Sequence, residues 1–350
     1  MIDGNQMNAA MPVSFFRYPP VGEADWAYTY ATAQVRVLQS MLLAPALLAD
    51  MANADDFGLA AELLSSTEYA MPTDAADAAV EDILLARRSA VRKLFSDLID
   101  KPAVAEFFRS RADFANVRLA LRRILTDRPV GTDYCNEGNV PADAIVHAFE
   151  NEDYSEFPDA MGDAVEAAVL SYYADKRPPA IDMAVDAVEA ACGLEVARRV
   201  GSVFLEGLVG LQIDLSNIRT MLRLQWAGSQ TRTAFIDGGF LDVSLLLQGL
   251  DSPVDVVPDL FTATAYSDVV EAGTAYLKSH DSFLRLETLC NGHLLGYLRE
   301  TDSITAGHQP VIAYLLQKEH EIRTVRMILA CKRNQIDVKL IRDRIPEVHS

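Results

Sequence analysis

Positive charge is in short supply in this sequence: 31 Lys and Arg stand against 50 Asp and Glu, a net charge of −19 over 350 residues. Nucleic-acid binders need basic patches to displace phosphate counterions, so DNA and RNA are excluded as partners. An acidic body suits basic protein surfaces, through contacts that salt screens over about 10 Å at 0.1 M. The same charge also serves solubility. Cysteine is scarce as well. Cys135, Cys192, Cys290 and Cys331 are scattered with no close pair, which excludes a disulfide framework or a four-cysteine metal site and fits a reducing cytoplasm. Long apolar runs are missing. Val37 to Ala52 and Val203 to Leu215 fall short of the roughly 20 residues needed to span a bilayer and are broken by Gln39, Pro45, Asp50, Glu206 and Asp214. The start, Met1 to Gln6, has no basic region leading into an apolar core, so no secretory signal is expected.

Catalytic motifs are thin too. His320-Glu321 opens like a zinc-protease helix, but Thr324 stands where the second histidine must lie to share the metal. Cys290-Asn-Gly-His293 has the spacing of half a zinc site without a second cluster, and reads as a buried cysteine beside a surface histidine. Asp237-Gly-Gly239 and Gly207-Leu-Val-Gly210 lack the lysine and hydroxyl of a phosphate loop, and read as a turn and a helix-packing site. No Gly-x-Ser-x-Gly elbow occurs. The expectation is a non-catalytic protein without catalytic residues, metal or cofactor.

What is present is a phrase used three times. Asp113-Phe-Ala-Asn116-Val-Arg118-Leu-Ala-Leu121 returns as Asp214-Leu-Ser-Asn217-Ile-Arg219-Thr-Met-Leu222, and more loosely as Glu321-Ile-Arg-Thr324-Val-Arg326-Met-Ile-Leu329. The copies are 101 and 107 residues apart. A second, weaker phrase, Asp56-Phe57, Asp153-Tyr154 and Asp255-Val256, keeps the same order. Self-similarity at a fixed period argues for related structural units, and the chain exceeds the usual size of one domain. We expect an N-terminal extension over 1–25 and helical units over 26–130, 131–230 and 231–350.

Helical patterning runs nearly throughout, with apolar residues three and four apart from Trp26 to Met51, Ala75 to Leu98, Ala103 to Leu125, Ala142 to Tyr173, Ile181 to Leu224, Leu241 to Leu250, Tyr266 to Arg299 and Pro310 to Lys332. The longer stretches must each contain a turn, because globular helices average about 11 to 12 residues. Breaks fall at Asp127 to Gly131, Lys176 to Pro179, Gly228 to Gln230, Asp237 to Gly239 and Asp251 to Pro253. The fold class is all-α. At about 100° per residue, Asp113 and Arg118 flank one apolar stripe of Phe114, Val117 and Leu121. The same holds for Asp214 with Arg219 and for Glu321 with Arg326. Charges flanking a packed seam pair with charges on a neighbouring helix and fix its register, so these residues are read as organising helix packing. An acid-base site is the competing reading. Structural seams recur within repeats and catalytic sites seldom do, which favours the seam.

The run Gly307-His-Gln-Pro310-Val-Ile-Ala-Tyr314-Leu-Leu-Gln-Lys318-Glu319-His-Glu321-Ile-Arg-Thr-Val-Arg326-Met-Ile-Leu329 resembles the C-terminal signature of the C subunit of V/A-type (vacuolar/archaeal-type) ATPases and ATP synthases, counterpart of the d subunit of the eukaryotic V-ATPase. The likeness extends to Tyr28-Thr-Tyr-Ala31-Thr-Ala-Gln-Val-Arg36-Val-Leu38, to the two Asp-x-x-Asn-x-Arg helices and to Phe235-Ile-Asp-Gly-Gly239, covering about residues 26 to 340. The resemblance implies a funnel of three helical units, peripheral on the cytoplasmic face of the membrane. It would hold the ring of proteolipid subunits and receive the foot of the central stalk, a rotor coupling for ATP hydrolysis or synthesis and for proton or sodium movement. The alternative is a free-standing acidic helical adaptor for soluble partners. Two departures are Thr324 in place of Asn, and Ala330 where the earlier copies have Arg122 and Arg223. Phe15 to Pro20 lies outside the likeness, and Tyr18 with its two prolines suggests docking on the body.

Overall fold

The computed structural model describes residues 17–126, 134–229, 231–232 and 234–346. The break expected at Asp127 to Gly131 lies outside the described residues, as do the chain start, Phe15, Phe16 and Gln230. Among the described residues there are helices and no strand. In chain order they are α1 (Thr29–Gln39), α2 (Pro45–Asn53), α3 (Phe57–Glu62), α4 (Asp77–Leu98), α5 (Pro102–Leu125), α6 (Ala142–Asn151), α7 (Asp159–Asp175) and α8 (Pro178–Val200). Then follow α9 (Val203–Trp226), α10 (Val243–Asp251), α11 (Val257–Phe261), α12 (Ser267–His280), α13 (Leu284–Glu300), α14 (His308–Arg333) and α15 (Val338–Arg342).

The helix limits have local causes. Proline opens α2, α5 and α8, where its fixed φ suits the first turn and its missing N–H is no loss. The stretch expected from Ile181 to Leu224 breaks at Gly201, whose φ of 65° ends α8, and at Ser202, whose hydroxyl accepts from Leu205 N at 3.2 Å to begin α9. Asp281, also left-handed, separates α12 from α13. Residues 40–44 and Pro45 divide the first expected stretch into α1 and α2. The weaker Asp phrase has no single role. Asp56 caps α3 through Leu59 N at 2.9 Å, Asp153 accepts from Ser155 N at 3.1 Å, and Asp255 forms an ion pair with Lys278.

Three apolar clusters hold the helices together; of the helices that bear the repeated phrase, α5 and α14 each run from one cluster into another, while α9 stays within the largest. The first halves of all three enter the largest cluster, with Phe107 and Phe108 of α5, Leu208 and Leu211 of α9, and Val311 and Leu315 of α14. Farther along, Phe114, Val117 and Leu121 of α5 pack with Ile145, Met161 and Ile181 of the segment that follows. The second half of α14 leaves its own segment. Ile322, Val325, Ile328 and Leu329 form one core with Met51, Leu64, Tyr69 and Leu84 near the chain start.

The N-terminal segment docks from Arg17 onward. Tyr18 lies 5.0 Å from the His293 ring and 6.2 Å from the Tyr297 ring, Gln309 donates to the carbonyls of Val21 and Glu23, and Asp25 N donates to Ala306 O at 2.8 Å. The last long helix therefore fastens both the leading segment and the first core. A chain ending at residue 306 would expose Met51, Leu64, Tyr69 and Leu84, each worth about 1.5–3 kcal/mol of burial. We expect residues 45–84 of that truncation to be digested first in limited proteolysis. Protection equal to the full chain would contradict the packing.

Candidate functional site: the signature helices and the loops they hold

Asp214 and Asn217 stand three residues apart, on one side of α9, and both are buried. The carboxylate of Asp214 accepts from two successive backbone amides, Phe240 N and Leu241 N, each at 3.0 Å, and from the Tyr266 hydroxyl at 2.6 Å. Asn217 acts in both directions on one residue: its Nδ2 donates to Ile236 O at 2.8 Å, and its Oδ1 accepts from Ile236 N at 2.9 Å. A side-chain amide offers a donor and an acceptor together, matched to the N–H and C=O of one residue.

The first copy repeats this geometry at the same chain offsets. Asn116 pairs with Cys135 N and O at 2.9 and 2.8 Å, 19 residues on, as Asn217 does with Ile236. Asp113 accepts from Asn139 N at 2.9 Å and Val140 N at 3.1 Å, 26 and 27 residues on, as Asp214 does from Phe240 and Leu241. The close approach explains a glycine in each loop. A Cβ on Gly138 would stand 1.9 Å from Asp113 Oδ1, and one on Gly239 would stand 2.0 Å from Asp214 Oδ1.

The third copy closes on the opposite end of the chain. Glu321 accepts from Leu43 N at 2.5 Å and from the Tyr69 hydroxyl at 2.7 Å, and it meets the Lys318 ammonium. Lys318 is only 3% exposed, also reaches Glu68, and lies 4.8 Å from the centre of the Tyr69 ring. The residues before Leu43, Met41 and Leu42, include no glycine, and Glu321 carries one methylene more than an aspartate. Thr324 holds no loop, and its hydroxyl bonds back to His320 O at 3.0 Å.

The acids thus do not pair with charges on neighbouring helices, as the flanking-charge reading expected. They hold backbone, and Glu321 adds a lysine from its own helix. The arginines do cross to neighbours. Arg118 reaches Glu189 at 3.0 Å and also Asp186 on α8, Arg219 forms an ion pair with Glu287 of α13 at 2.8 Å, and Arg326 takes Glu81 of α4 through two bonds of 3.0 and 2.7 Å. Arg122 pairs with Asp182, and Arg223 pairs with Glu287 at 2.7 Å. In the third copy Arg333, one turn beyond Ala330, takes Asp77.

Sequence reasoning missed the tyrosines. Thr67-Glu-Tyr69 and Thr264-Ala-Tyr266 form the same turn, in which Tyr N donates to the Thr hydroxyl at 3.1 and 3.2 Å and the hydroxyl donates to the carbonyl three residues earlier. The intervening segment reads Ser155-Glu-Phe157, with no hydroxyl on the ring. There the side-chain amide of Asn139 gives Asp113 its third bond, at 3.1 Å. A Thr/Ser-x-aromatic phrase was the available signal.

Burial pushes the Asp214 carboxyl up to about 6, against the three donors that stabilise the ionised form and pull the value down. Asp113 is raised by the same cause. His293, expected at the surface, is instead enclosed between the rings of Tyr18 and Tyr266 at 5.0 and 5.2 Å, while Cys290 is fully buried. Burial pushes His293, His308 and His320 each down to about 4. Among the described residues, no group of three His, Cys, Asp or Glu is placed to hold a metal, and no helix is long and apolar enough to cross a membrane.

A family model described as ATP synthase (C/AC39) subunit matches residues 31–344. The chain belongs to this family. It is 22% identical over 309 residues to the C subunit of the V-type sodium ATPase of Enterococcus hirae, covering 85% of this chain and 92% of that one. It is 25% identical over 252 residues to the C subunit of the A-type ATP synthase of Halorubrum lacusprofundi, 64% of this chain and 68% of that one. A 121-residue stretch is 31% identical to the corresponding A-type ATP synthase protein of Halobacterium salinarum, 33% of this chain and 34% of that one. The C subunit is a non-catalytic part of its ATPase complex.

Asp214→Ala would strand two backbone amides and a tyrosine hydroxyl, and each buried unsatisfied donor costs about 1–3 kcal/mol. We expect a loss of about 3 kcal/mol or more in urea denaturation, against less than about 1 kcal/mol for Arg223→Ala, whose ion pair is half exposed. Equal losses would overturn the ranking. The histidines set a pH dependence. Their folded values lie below the unfolded value of about 6.5, so between pH 4 and 6.5 the unfolded chain binds more protons and stability rises with pH. Asp214 opposes this between about pH 4 and 6, being raised in the fold. Asp113, also raised, acts in the same direction as Asp214, and with three histidines against these two carboxyls stability should still climb by a few kcal/mol from about pH 4.5 to 6.5. A flat or falling profile would contradict the enclosure of the histidines.

Proposed function

We propose that this protein is the coupling piece of a rotary ATPase rotor, linking the proteolipid ring in the membrane to the central stalk and carrying torque between them. It sits peripherally on the cytoplasmic face and moves with the rotor during proton or sodium transport coupled to ATP. Its body consists of units 26–130, 131–230 and 231–350 behind the extension 1–25, arranged as a funnel. The observation that carries this reading is the closure of the signature contacts. α5 holds the loop at 135–140, α9 holds the loop at 236–241, and α14 returns to hold Leu43. The last long helix thus secures the first segment.

A part that transmits torque must not shear between its own segments. Closure serves this, because relative rotation of any two segments would break buried carboxylate–amide bonds along with apolar packing. Two small adjoining recesses give the stalk-receiving half of the proposal a foothold. Phe108 and Arg111 of α5 border two adjoining recesses of about 220 and 270 Å³. One is walled by α4 and α14, the other by α8, α9 and α13. The relatives support the same reading, since their names place them as the C subunit in a V-type sodium ATPase and in A-type ATP synthases.

The test is to tag the full chain, purify it at low salt from detergent-solubilised membranes, and identify by mass spectrometry what accompanies it. Proteolipid, stalk and nucleotide-binding subunits are the expected companions. Soluble proteins alone, with the chain absent from membranes, would overturn the rotor reading in favour of an acidic adaptor.

A further inference from the structure

One face of α1 carries a row of large apolar side chains that stand exposed among the described residues. Trp26, Tyr30, Val37 and Met41 are 70, 78, 64 and 66% exposed, and Ala33 between them is exposed too. Tyr30, Ala33 and Val37 fall at i, i+3 and i+7 of the helix, with Trp26 one turn before and Met41 one turn after. The opposite side, Ala31, Thr32 and Val35, is buried. At 1.5 Å per residue the helical part of the row, Tyr30 to Val37, is about 10 Å long, and Trp26 and Met41 extend it at either end. Exposed apolar residues scattered singly are ordinary, whereas an aligned row marks a contact surface.

The row is held firmly. Tyr28 bonds to Asp100, Thr32 exchanges bonds with Gly307, and Arg36 donates to Asp302, Thr301 O and Ile304 O at 2.7, 2.6 and 3.1 Å. A partner would therefore meet a preorganised surface, which lowers the entropy lost on binding.

Charge selects the partner. From Trp26 to Ala49 the chain has one charged residue, Arg36, and Asp302 neutralises it. Acids stand at the border before the row, at Glu23 and Asp25. An apolar centre with an acidic rim complements an apolar surface with a basic rim. The cytoplasmic ends of membrane helices have that character, since their connecting loops carry an excess of Lys and Arg. An anionic lipid surface would be repelled by a body of net charge −19. A second copy would set acidic rim against acidic rim.

We propose that this face of α1 is the seat for the cytoplasmic loops of the membrane ring, their apolar tips lying along Tyr30, Val37 and Met41 and their basic flanks against Glu23 and Asp25. The assignment rests on the rotor reading and adds to it the surface used.

The test compares the tagged full chain in detergent-solubilised complexes with the triple variant Tyr30→Ser/Val37→Ser/Met41→Ser. A control, Leu170→Ser/Tyr173→Ser, alters two exposed residues of α7. We expect the triple variant to melt within about 2 °C of the parent, because surface substitutions change stability little. Its recovery of proteolipid relative to stalk proteins should fall about tenfold or more, as losing central apolar anchors does. The control should recover proteolipid like the parent. Glu23→Lys, with the apolar row intact, should lower recovery severalfold through the rim alone. Undiminished proteolipid with the triple variant or with Glu23→Lys would overturn the assignment, and so would loss of the stalk with the ring retained, or an equal loss in the control. If the parent itself brings down no proteolipid, the rotor reading fails first and separately.

Discussion

A carboxylate buried on a helix and saturated by backbone amides is the interaction on which the rest of this structure depends. Asp214 spans Phe240 N and Leu241 N with its two oxygens, Asp113 spans Asn139 N and Val140 N, and each is accompanied by an asparagine that pairs with the loop several residues earlier. The arrangement fixes the loop in translation through the acid and in register through the amide. A buried, charge-assisted bond of this kind is strong, and it is expensive to leave half made, so it tolerates little sliding. Each loop is thereby set against the helix before it, and the helix that begins after the loop inherits its direction.

The third copy meets the same requirement with different chemistry because the partner loop precedes it by 278 residues instead of following by about 26. Glu321 uses a longer side chain, takes one amide instead of two, and completes its shell with Tyr69 and Lys318. Lys318 in turn is held by Glu68 and by the face of the Tyr69 ring, so a charge that burial would penalise is compensated on several sides. The asparagine clasp is absent here, and Arg326 with its two bonds to Glu81 secures the register from the next turn. The loose match of the third phrase thus has a physical reason: its loop approaches from a separate part of the chain.

Much of this was legible in the sequence, for reasons that explain what was not. The helices declare themselves in apolar spacing, and the phrase around Asp113 and Asp214 is visible because the same geometry demands the same residues twice. The partners of Asp113 and Asp214 are backbone amides, which every residue but proline carries, so no side chain could announce them. Gly138 and Gly239 were the trace they left, and the latter was read only as a turn. Tyr69 and Tyr266 sit in three-residue phrases too short to stand out, and the middle segment replaces that hydroxyl with the amide of Asn139. The core shared by Met51, Leu84 and Ile322 joins the two ends of the chain, and no local pattern encodes so distant a meeting.

Salt separates the two kinds of bond that this protein uses. The arginine pairs on the signature helices are partly exposed, and such pairs contribute at most about 1 kcal/mol and weaken as ionic strength rises. The carboxylate–amide bonds are buried, and screening ions do not reach them. The interior of each loop contact therefore persists under conditions that loosen the acidic exterior from whatever basic surface it meets. A body made this way keeps its shape while salt weakens its charged exterior, because its stiffness comes from desolvated backbone contacts.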